Sequence, residues 1–337
     1  MFGTFRTLLA LLVVAAHLGP LDNVGPYAVF GFYVLSGYLM TAILRDRYGY
    51  SRAGTARYAA NRLLRIYPLY LVALGLSVLL IALLGEAAAR QYHEQLGLEL
   101  STTELLRNLF LVLDIHTNTR WVPPAWALTV ELFFYAAMGL GLSRHPATCA
   151  VWLLGSAAYT AYLWVGGASF SYRYFSIAAA SLPFAMGACL HHLRERRHRI
   201  VLLLGNARIL PLLAGAFGVN LLVASQSSGP LAFGPLFYLN LALSWLLIAH
   251  LAQRDSNYWR SLDATLGELS YPVYLLHYQA GMLLLLLRPE FRRGDLSFML
   301  WGGAMTLALS WAVVRLLEPA IQRVRAGIRP APARKQA

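Results

Sequence analysis

Long stretches without Asp, Glu, Lys or Arg run along this chain. They include 23–44, 66–85, 146–172, 174–193, 269–287 and 296–314, each with 19 residues or more. A helix needs about 20 apolar residues to cross a hydrocarbon core roughly 30 Å thick. The pattern of hydrophobic and polar positions therefore predicts an all-α integral membrane protein.

Less regular runs add further spans. The run 209–253 is interrupted by a polar sextet with Gly and Pro at 225–230, which is typical of a turn between two helices. The N-terminal run contains His17, and the run around 124–143 is broken only by Glu131. We therefore expect a bundle of about ten transmembrane helices. The predicted spans are 5–19, 27–44, 66–84, 124–142, 148–166, 172–192, 208–224, 231–251, 267–287 and 297–317.

The basic residues fall mainly on one side of this topology. With the N-terminus in the cytoplasm, 20 Arg and Lys residues lie in cytoplasmic segments and 7 lie outside. Cytoplasmic segments of membrane proteins carry an excess of Lys and Arg, so both termini are expected to be cytoplasmic. Residues 1–320 are predicted to form one transmembrane domain, and residues 321–337 a short basic cytoplasmic tail. The expected location is the inner (cytoplasmic) membrane of a bacterium, with several passes.

Composition excludes the main soluble classes. Hydrophobic residues make up 58% of the chain and charged residues 13%, whereas soluble domains carry about a quarter charged residues. The net charge is +13. Because the arginines lie in short clusters between uncharged runs, this charge indicates a membrane protein in its lipid bilayer and no nucleic-acid partner. Cys149 and Cys189 both lie in apolar runs, so neither a disulfide framework nor a metal site is predicted.

Two ionisable residues within spans are candidates for chemistry, because such residues are costly in a membrane and usually face a cavity or a partner. His17 follows Arg6 by eleven positions, roughly 16 Å along a helix axis, which puts the imidazole near the middle of the membrane. His17 either takes part in a reaction or bonds a backbone carbonyl. Glu131 needs an Arg or His partner, and either belongs to the same site or forms a structural ion pair.

Two further patterns concern pairs and stripes of polar side chains. Arg62 and Arg65 lie one turn apart at the inner end of the third span, and two guanidiniums on one face suit a phosphate. A positive-inside anchor is the commoner role of such arginines. Ser270, Tyr274 and His277 follow the i, i+4, i+7 spacing and share one helix face. That face either lines a substrate cavity or makes hydrogen bonds between helices.

Several catalytic signatures are missing from the sequence. It contains no G-x-S-x-G elbow, no H-E-x-x-H motif and no Walker A loop. A serine-triad hydrolase, a zinc protease and a nucleotide-driven pump therefore have no support.

Taken together, the polar blocks resemble those of the acyltransferase-3 family, the multi-span membrane enzymes that O-acylate carbohydrates and related hydroxyl compounds. The blocks follow one another over nearly the whole chain: Arg6 to His17, Gly31 to Gly37 (GFYVLSG), Arg62 to Pro68 (RLLRIYP), Trp126 to Tyr135 (WALTVELFFY), Ser270 to His277 and the pair Glu318-Pro319. Ala127 stands where the family often has serine, and Tyr33 replaces the second aromatic of a Phe-Phe pair. Neither departure removes an ionisable group.

The resemblance implies an acyltransferase-3-like domain over 1–320 that moves an acyl group from acyl-CoA to a hydroxyl. Acetyl-CoA is the expected donor, because the family mostly uses acetyl, and no permanently bound cofactor or metal is implied. The implied acceptor is a glycan or glycolipid, such as an exopolysaccharide or a lipopolysaccharide. A secondary metabolite is a further possible acceptor.

The resemblance also assigns roles to single residues. A neutral imidazole near pH 7 suits His17 as general base, although a transient acyl-histidine remains a competing mechanism. The implied roles are catalytic for His17 and Glu131, acyl-CoA-binding for Arg62, Arg65 and Arg6, and substrate-binding for Ser36, Tyr274 and His277.

Two other classes of protein fit the same buried polar residues. A transporter or flippase for a glycolipid or small polar solute would use them as a substrate pathway and would need no CoA. A structural or assembly subunit would use them only to hold helices together, and would tolerate substitution of His17.

Overall fold

The computed structural model describes residues 2–21, 23–98, 101–113, 118–254 and 259–328, and helices account for most of them. No β-strand occurs in these ranges, so the predicted all-α class is confirmed. The α-helices are α1 (Phe2–Leu18), α2 (Val24–Ile43), α3 (Arg52–Leu84), α4 (Glu86–Tyr92), α5 (Thr102–Phe110), α6 (Trp126–Gly139), α7 (Pro146–Val165), α8 (Phe170–Phe175), α9 (Ser181–Glu195), α10 (Arg199–Leu204), α11 (Ile209–Gln226), α12 (Gly229–Leu231), α13 (Phe237–Leu251), α14 (Arg260–Leu287) and α15 (Leu296–Ile328).

Six helical segments of the described chain are long and apolar enough to cross a membrane. They are Val24–Tyr48, Arg52–Leu84, Pro146–Val165, Ile209–Gln226, Gly229–Leu251 and Leu296–Ile328. The chain is therefore a multi-pass membrane protein. The total of ten spans and the cytoplasmic position of both termini stay predictions.

Several predicted boundaries differ from the observed helices. The third predicted span belongs to a helix that begins at Arg52, and the ninth to one that begins at Arg260. The predicted span 172–192 is broken between α8 and α9, where Ser176 Oγ accepts a hydrogen bond from Ala179 N at 3.2 Å. A serine that bonds the nearby backbone competes with the helix, and hydropathy does not record this effect. The last helix also continues beyond Pro319 to Ile328, so the predicted tail begins as helix. The remaining tail, 329–337, lies outside the described residues.

The chain divides into two compact units, each made of three segments. The first unit comprises Met1–Val29, Ile66–Thr129 and Ser256–Pro319. The second unit comprises Phe30–Arg65, Val130–Asp255 and the chain from Ala320 onward.

In the first unit, α1 lies directly against α14. A Cβ atom at Gly3 would come within 1.7 Å of the Asp263 carbonyl oxygen, so only glycine permits this approach. The Asp263 carboxylate accepts hydrogen bonds from the backbone N–H groups of Gly3 at 3.1 Å and Thr4 at 2.8 Å. These donors have no partner within their own helix, and a negative charge is favourable at a helix N-terminus. Asp263 therefore fixes the start of α1 on α14.

The other end of α1 is held by the loop before α15. Arg293 Nε donates to the carbonyl oxygen of His17 at 2.8 Å, and Gly294 N donates to that of Leu18 at 3.2 Å. The last carbonyls of a helix need such donors, and a positive charge is favourable there. Arg293 Nη1 also donates to the Tyr92 carbonyl at 2.8 Å, which ties α4 to the same point.

In the second unit, α2 and α9 cross at glycine positions. A Cβ atom at Gly187 would lie 1.9 Å from the carbonyl oxygen of Val34. The Phe184 ring stacks on Tyr33 at 5.1 Å and on Phe134 at 4.5 Å between centroids. This aromatic core packs α2, α6 and α9 together and sets the position of Ser36.

Candidate active site

A pair of histidines lies within the first unit. His17 is in the last turn of α1, and its Nδ1 lies 2.8 Å from Nε2 of His277 on α14. The ring planes differ by 15° and the centroids are 5.0 Å apart. Because the two nitrogens are much closer than the centroids, the rings meet edge to edge and share a hydrogen bond. His277 is fully buried, whereas His17 is half-buried.

Aromatic and basic side chains surround the histidine pair. The Tyr278 ring lies 5.3 Å from His17 and 4.8 Å from His277. His93 packs edge-on against Tyr278 at 5.0 Å, and the Arg293 guanidinium lies 5.7 Å from the centroid of the same ring. Burial lowers the pKa of His93 to about 4, and the charges of Arg293 and Arg120 add to the effect. At pH 7 His93 is therefore neutral.

The polar stripe predicted on the ninth span is also in the first unit. Ser270, Tyr274 and His277 are all buried on α14. The Tyr274 hydroxyl donates to the carbonyl oxygen of Pro124 at 2.9 Å, and Ser270 Oγ donates to that of Gly267 at 2.8 Å. All three side chains therefore bond a backbone carbonyl, since His277 Nδ1 lies 2.7 Å from that of Tyr274. His277 also reaches a predicted catalytic residue, His17. Arg6 lies half-buried on the first helix.

Glu131 and Ser36 meet in the second unit. Ser36 Oγ on α2 donates to Glu131 Oε1 on α6 at 3.0 Å, and the Tyr135 hydroxyl donates to Ser36 Oγ at 3.4 Å. The structure thus joins two predicted site residues that lie 95 positions apart. The hydrogen bond orients one carboxylate oxygen of Glu131 within its unit.

Arg62, also in the second unit, has an unusual environment for a partly buried guanidinium. Its Nε is buried and has no hydrogen-bond partner among the described residues. Its Nη1 lies 3.5 Å from the Met40 sulfur, which is a weak acceptor, and its guanidinium carbon lies 5.9 Å from the Tyr58 ring centroid. Arg65, one turn further on, is half-buried as well. A partly buried guanidinium with no carboxylate partner among the described residues favours an anionic ligand.

A buried network fixes α3 next to Arg62. Asn61, the residue before Arg62, is 2% exposed. Its Oδ1 accepts from Nε of Arg325 at 2.8 Å, and its Nδ2 donates to the Tyr48 hydroxyl. Because the network holds the backbone at Asn61, it also fixes the backbone position from which the Arg62 side chain extends.

The sequence did not single out several neighbours of His17. Arg293 and His93 lie in loops, where no helical periodicity relates them to a predicted site. Tyr278 follows His277 directly, and the stripe at i, i+4 and i+7 excludes it. The sequence could have indicated Tyr278 only through its position next to His277. It gives no indication of contacts made by loop residues.

The fold and these clusters define a multi-pass helical membrane protein with polar side chains buried inside both of its units. A family model for an acyltransferase domain matches residues 3–315, and the chain therefore belongs to the acyltransferase-3 family. It is a membrane acyltransferase. The searches of curated proteins and of solved structures found no significant match.

Proposed function

We propose that this acyltransferase moves an acyl group, acetyl in the first instance, from cytoplasmic acyl-CoA to a hydroxyl of a cell-envelope or extracellular glycan, in the inner membrane. The observation that carries the proposal is the environment of His17. One ring nitrogen is held by the fully buried His277, and residue His17 as a whole is half-buried. A general base needs this combination of fixed orientation and access.

In the proposed reaction His17 takes the proton of the acceptor hydroxyl. The hydroxyl oxygen then attacks the thioester carbonyl, so that a carbon–oxygen bond forms and the carbon–sulfur bond breaks. The CoA thiolate leaves and receives the proton from His17, which returns to its neutral form. An ordinary alcohol is too weak an acid to attack unaided, and a positioned base contributes about 10²–10⁴-fold.

The donor is assigned to the arginines of α3. CoA carries several phosphates, and a guanidinium binds phosphate with both charge and geometry. The buried Nε of Arg62, which bonds no described residue, supports this assignment. Arg65 and Arg6 are proposed as further contacts of the donor.

The remaining site residues are assigned to the acceptor and to the catalytic groups. Ser36, Tyr274 and His277 are each proposed to contact the acceptor. Glu131 is proposed as the second catalytic residue, and its hydrogen bond from Ser36 gives one oxygen a defined orientation.

The test measures base-labile acyl groups on envelope and secreted glycans in matched strains. The strains are a deletion, the deletion restored with wild type, and the deletion carrying His17→Ala or His250→Leu at matched expression. His250 is the control because it is a helical histidine outside the proposed site, fully buried and bonded to the backbone carbonyl of Leu204 at 2.6 Å.

We expect the acyl groups to vanish on deletion, and to return with wild type and His250→Leu but not with His17→Ala. Full acylation by His17→Ala would refute the assignment of the base. Unchanged glycan esters in all strains would refute the glycan acceptor.

A further inference from the structure

The hydrogen bonds of His277 fix which of its ring nitrogens carries the proton. Its Nδ1 lies 2.7 Å from the carbonyl oxygen of Tyr274, and a carbonyl oxygen can only accept. Nδ1 of His277 therefore donates. In a neutral imidazole the other nitrogen, Nε2, is then an acceptor.

The neutral state of His277 follows from its surroundings. The ring is fully buried, and an uncompensated charge in such a place is costly. The nearest positive group is Arg293, which bonds the backbone carbonyl of His17. Protonation of His277 would place a second positive charge near the Arg293 guanidinium, and like charges repel. His93, which packs against the shared neighbour Tyr278, supplies no negative charge.

The same reasoning extends to His17. Its Nδ1 lies 2.8 Å from the acceptor Nε2 of His277, so Nδ1 of His17 carries a proton and donates it. The lone pair of His17 then lies on Nε2, the nitrogen on the opposite side of its ring from His277. We propose that His277 is a positioning residue, which holds His17 in the Nδ1-protonated tautomer and so makes its Nε2 the general base.

This inference rests on the proposed function and gives His277 a role other than contact with the acceptor. His277 is fully buried and touches His17, whereas His17 is half-buried. The two histidines therefore have different roles in this proposal: His17 removes the proton, and His277 orients His17. Histidine bases are commonly oriented by the bond that their second nitrogen makes.

The proton balance is simple. The acceptor proton moves to Nε2 of His17, which becomes a cation with both nitrogens protonated, and its Nδ1–H remains donated to His277. The cation then gives the Nε2 proton to the departing CoA thiolate. The pair returns to its starting tautomers without any other reactant.

Two substitutions of His277 distinguish loss of the hydrogen bond to His17 from loss of the side chain's volume. In His277→Gln the amide oxygen can still accept from Nδ1 of His17, whereas in His277→Leu no acceptor remains. His250→Leu is the matched control, because it removes a fully buried histidine with a single carbonyl partner. Protein level and elution profile in detergent show whether each variant folds.

The first readout is the tautomer itself. The purified full-length protein is labelled with ¹⁵N-histidine, and the His17 and His277 signals among its nine histidines are assigned by their loss in single variants. Protonated and unprotonated ring nitrogens give well-separated signals. We expect protonated Nδ1 and unprotonated Nε2 in both rings of the wild type. A proton on Nε2 of His17 would overturn the proposal, whatever the activity.

The second readout is glycan acylation in cells. We expect His277→Leu to lower it by about 10²-fold or more, because the base is then free to take the wrong tautomer. His277→Gln should keep most of the activity, and His250→Leu all of it. Equal loss in both His277 variants would overturn the positioning role. If wild type itself acylates no glycan, the proposed acceptor fails, while the tautomer measurement still decides the pairing.

Discussion

At the residue scale, Arg62 gives the clearest test of the donor site. Its Nε bonds no described residue, which supports the proposed contact with a CoA phosphate. Replacing Arg62 with Ala should raise the apparent KM for acyl-CoA by about tenfold or more, since a hydrogen bond to a charged group is worth about 1.5–3 kcal/mol. The measurement is initial transfer rate against acyl-CoA concentration in inverted membrane vesicles.

Arg57→Ala is the control for this experiment. Arg57 lies on the same helix but is exposed, so its removal changes the charge without emptying the proposed site. Its KM for acyl-CoA should stay near that of the wild type. The phosphate role of Arg62 would be ruled out if both variants had the same KM for acyl-CoA. It would also be ruled out if Arg62→Ala raised only the KM for the acceptor.

At the element scale, the clamp between α1 and α14 predicts a pH dependence of stability. Burial by itself raises the pKa of Asp263, but the hydrogen bonds from Thr4 and Gly3 outweigh it and lower the pKa. A lowered carboxyl pKa stabilises the fold at pH values above the ordinary value of about 3.9. That contribution is lost as the pH falls through the lowered value.

Asp263→Asn should therefore lower the free energy of unfolding by about 1 kcal/mol at pH 7, as loss of a helix cap usually does. The difference from wild type should shrink as the pH falls toward 3. Thermal unfolding in detergent, followed by Trp fluorescence, measures both effects. Glu94→Gln is the control, because Glu94 is exposed. A stability difference between wild type and Asp263→Asn that grows as the pH falls would contradict the lowered pKa of Asp263.

The other end of α1 gives a second prediction at this scale. Arg293→Met removes the hydrogen bonds to the carbonyls of His17 and Tyr92. We expect a loss of stability of about 1–2 kcal/mol and a fall in transfer rate, because the turn that carries His17 is no longer held. Arg292 and Arg293 are both exposed, but the bonds to these two carbonyls come from Arg293, so Arg292→Met should change neither quantity. Equal melting temperatures and rates for the two variants would disprove the anchoring role.

The sequence predicted which residues share one face of a helix, but not which residues of different helices are in contact. The spacing of Ser270, Tyr274 and His277 indicated one shared face, and all three are buried. Nothing in that spacing showed that His277 meets His17, which lies 260 positions earlier. The meeting depends on the close approach of α1 and α14, which a missing Cβ at Gly3 permits.

At the scale of the whole molecule, the distribution of arginines predicts the sides of the loops. The loop that holds Glu94 should be extracytoplasmic, and the segment around Arg197 cytoplasmic. Both positions are exposed, so single cysteines there are accessible to a reagent. In a background without Cys149 and Cys189, a membrane-impermeant maleimide should label Glu94→Cys in intact cells. Arg197→Cys should react only after lysis, and the reverse pattern would refute the orientation.

Hydropathy predicted the class of the molecule and the positions of most long helices, but not their exact ends. Six segments of the described chain are long and apolar enough to span, while α1 and α6 have only 17 and 14 residues. A predicted span can be broken by a serine turn, as between α8 and α9, because hydropathy averages over such local bonds. The family resemblance came from ordered polar blocks, which survive these errors in helix boundaries.

The most direct single measurement follows labelled acetyl groups from acetyl-CoA to the glycan fraction in inverted vesicles from the deletion strain. The vesicles carry wild type, His17→Ala or His250→Leu at equal protein level. We expect transfer with wild type and His250→Leu, and a rate lower by about 10²-fold or more with His17→Ala. Transfer by His17→Ala at the wild-type rate would contradict the assignment of His17 as the base of this enzyme.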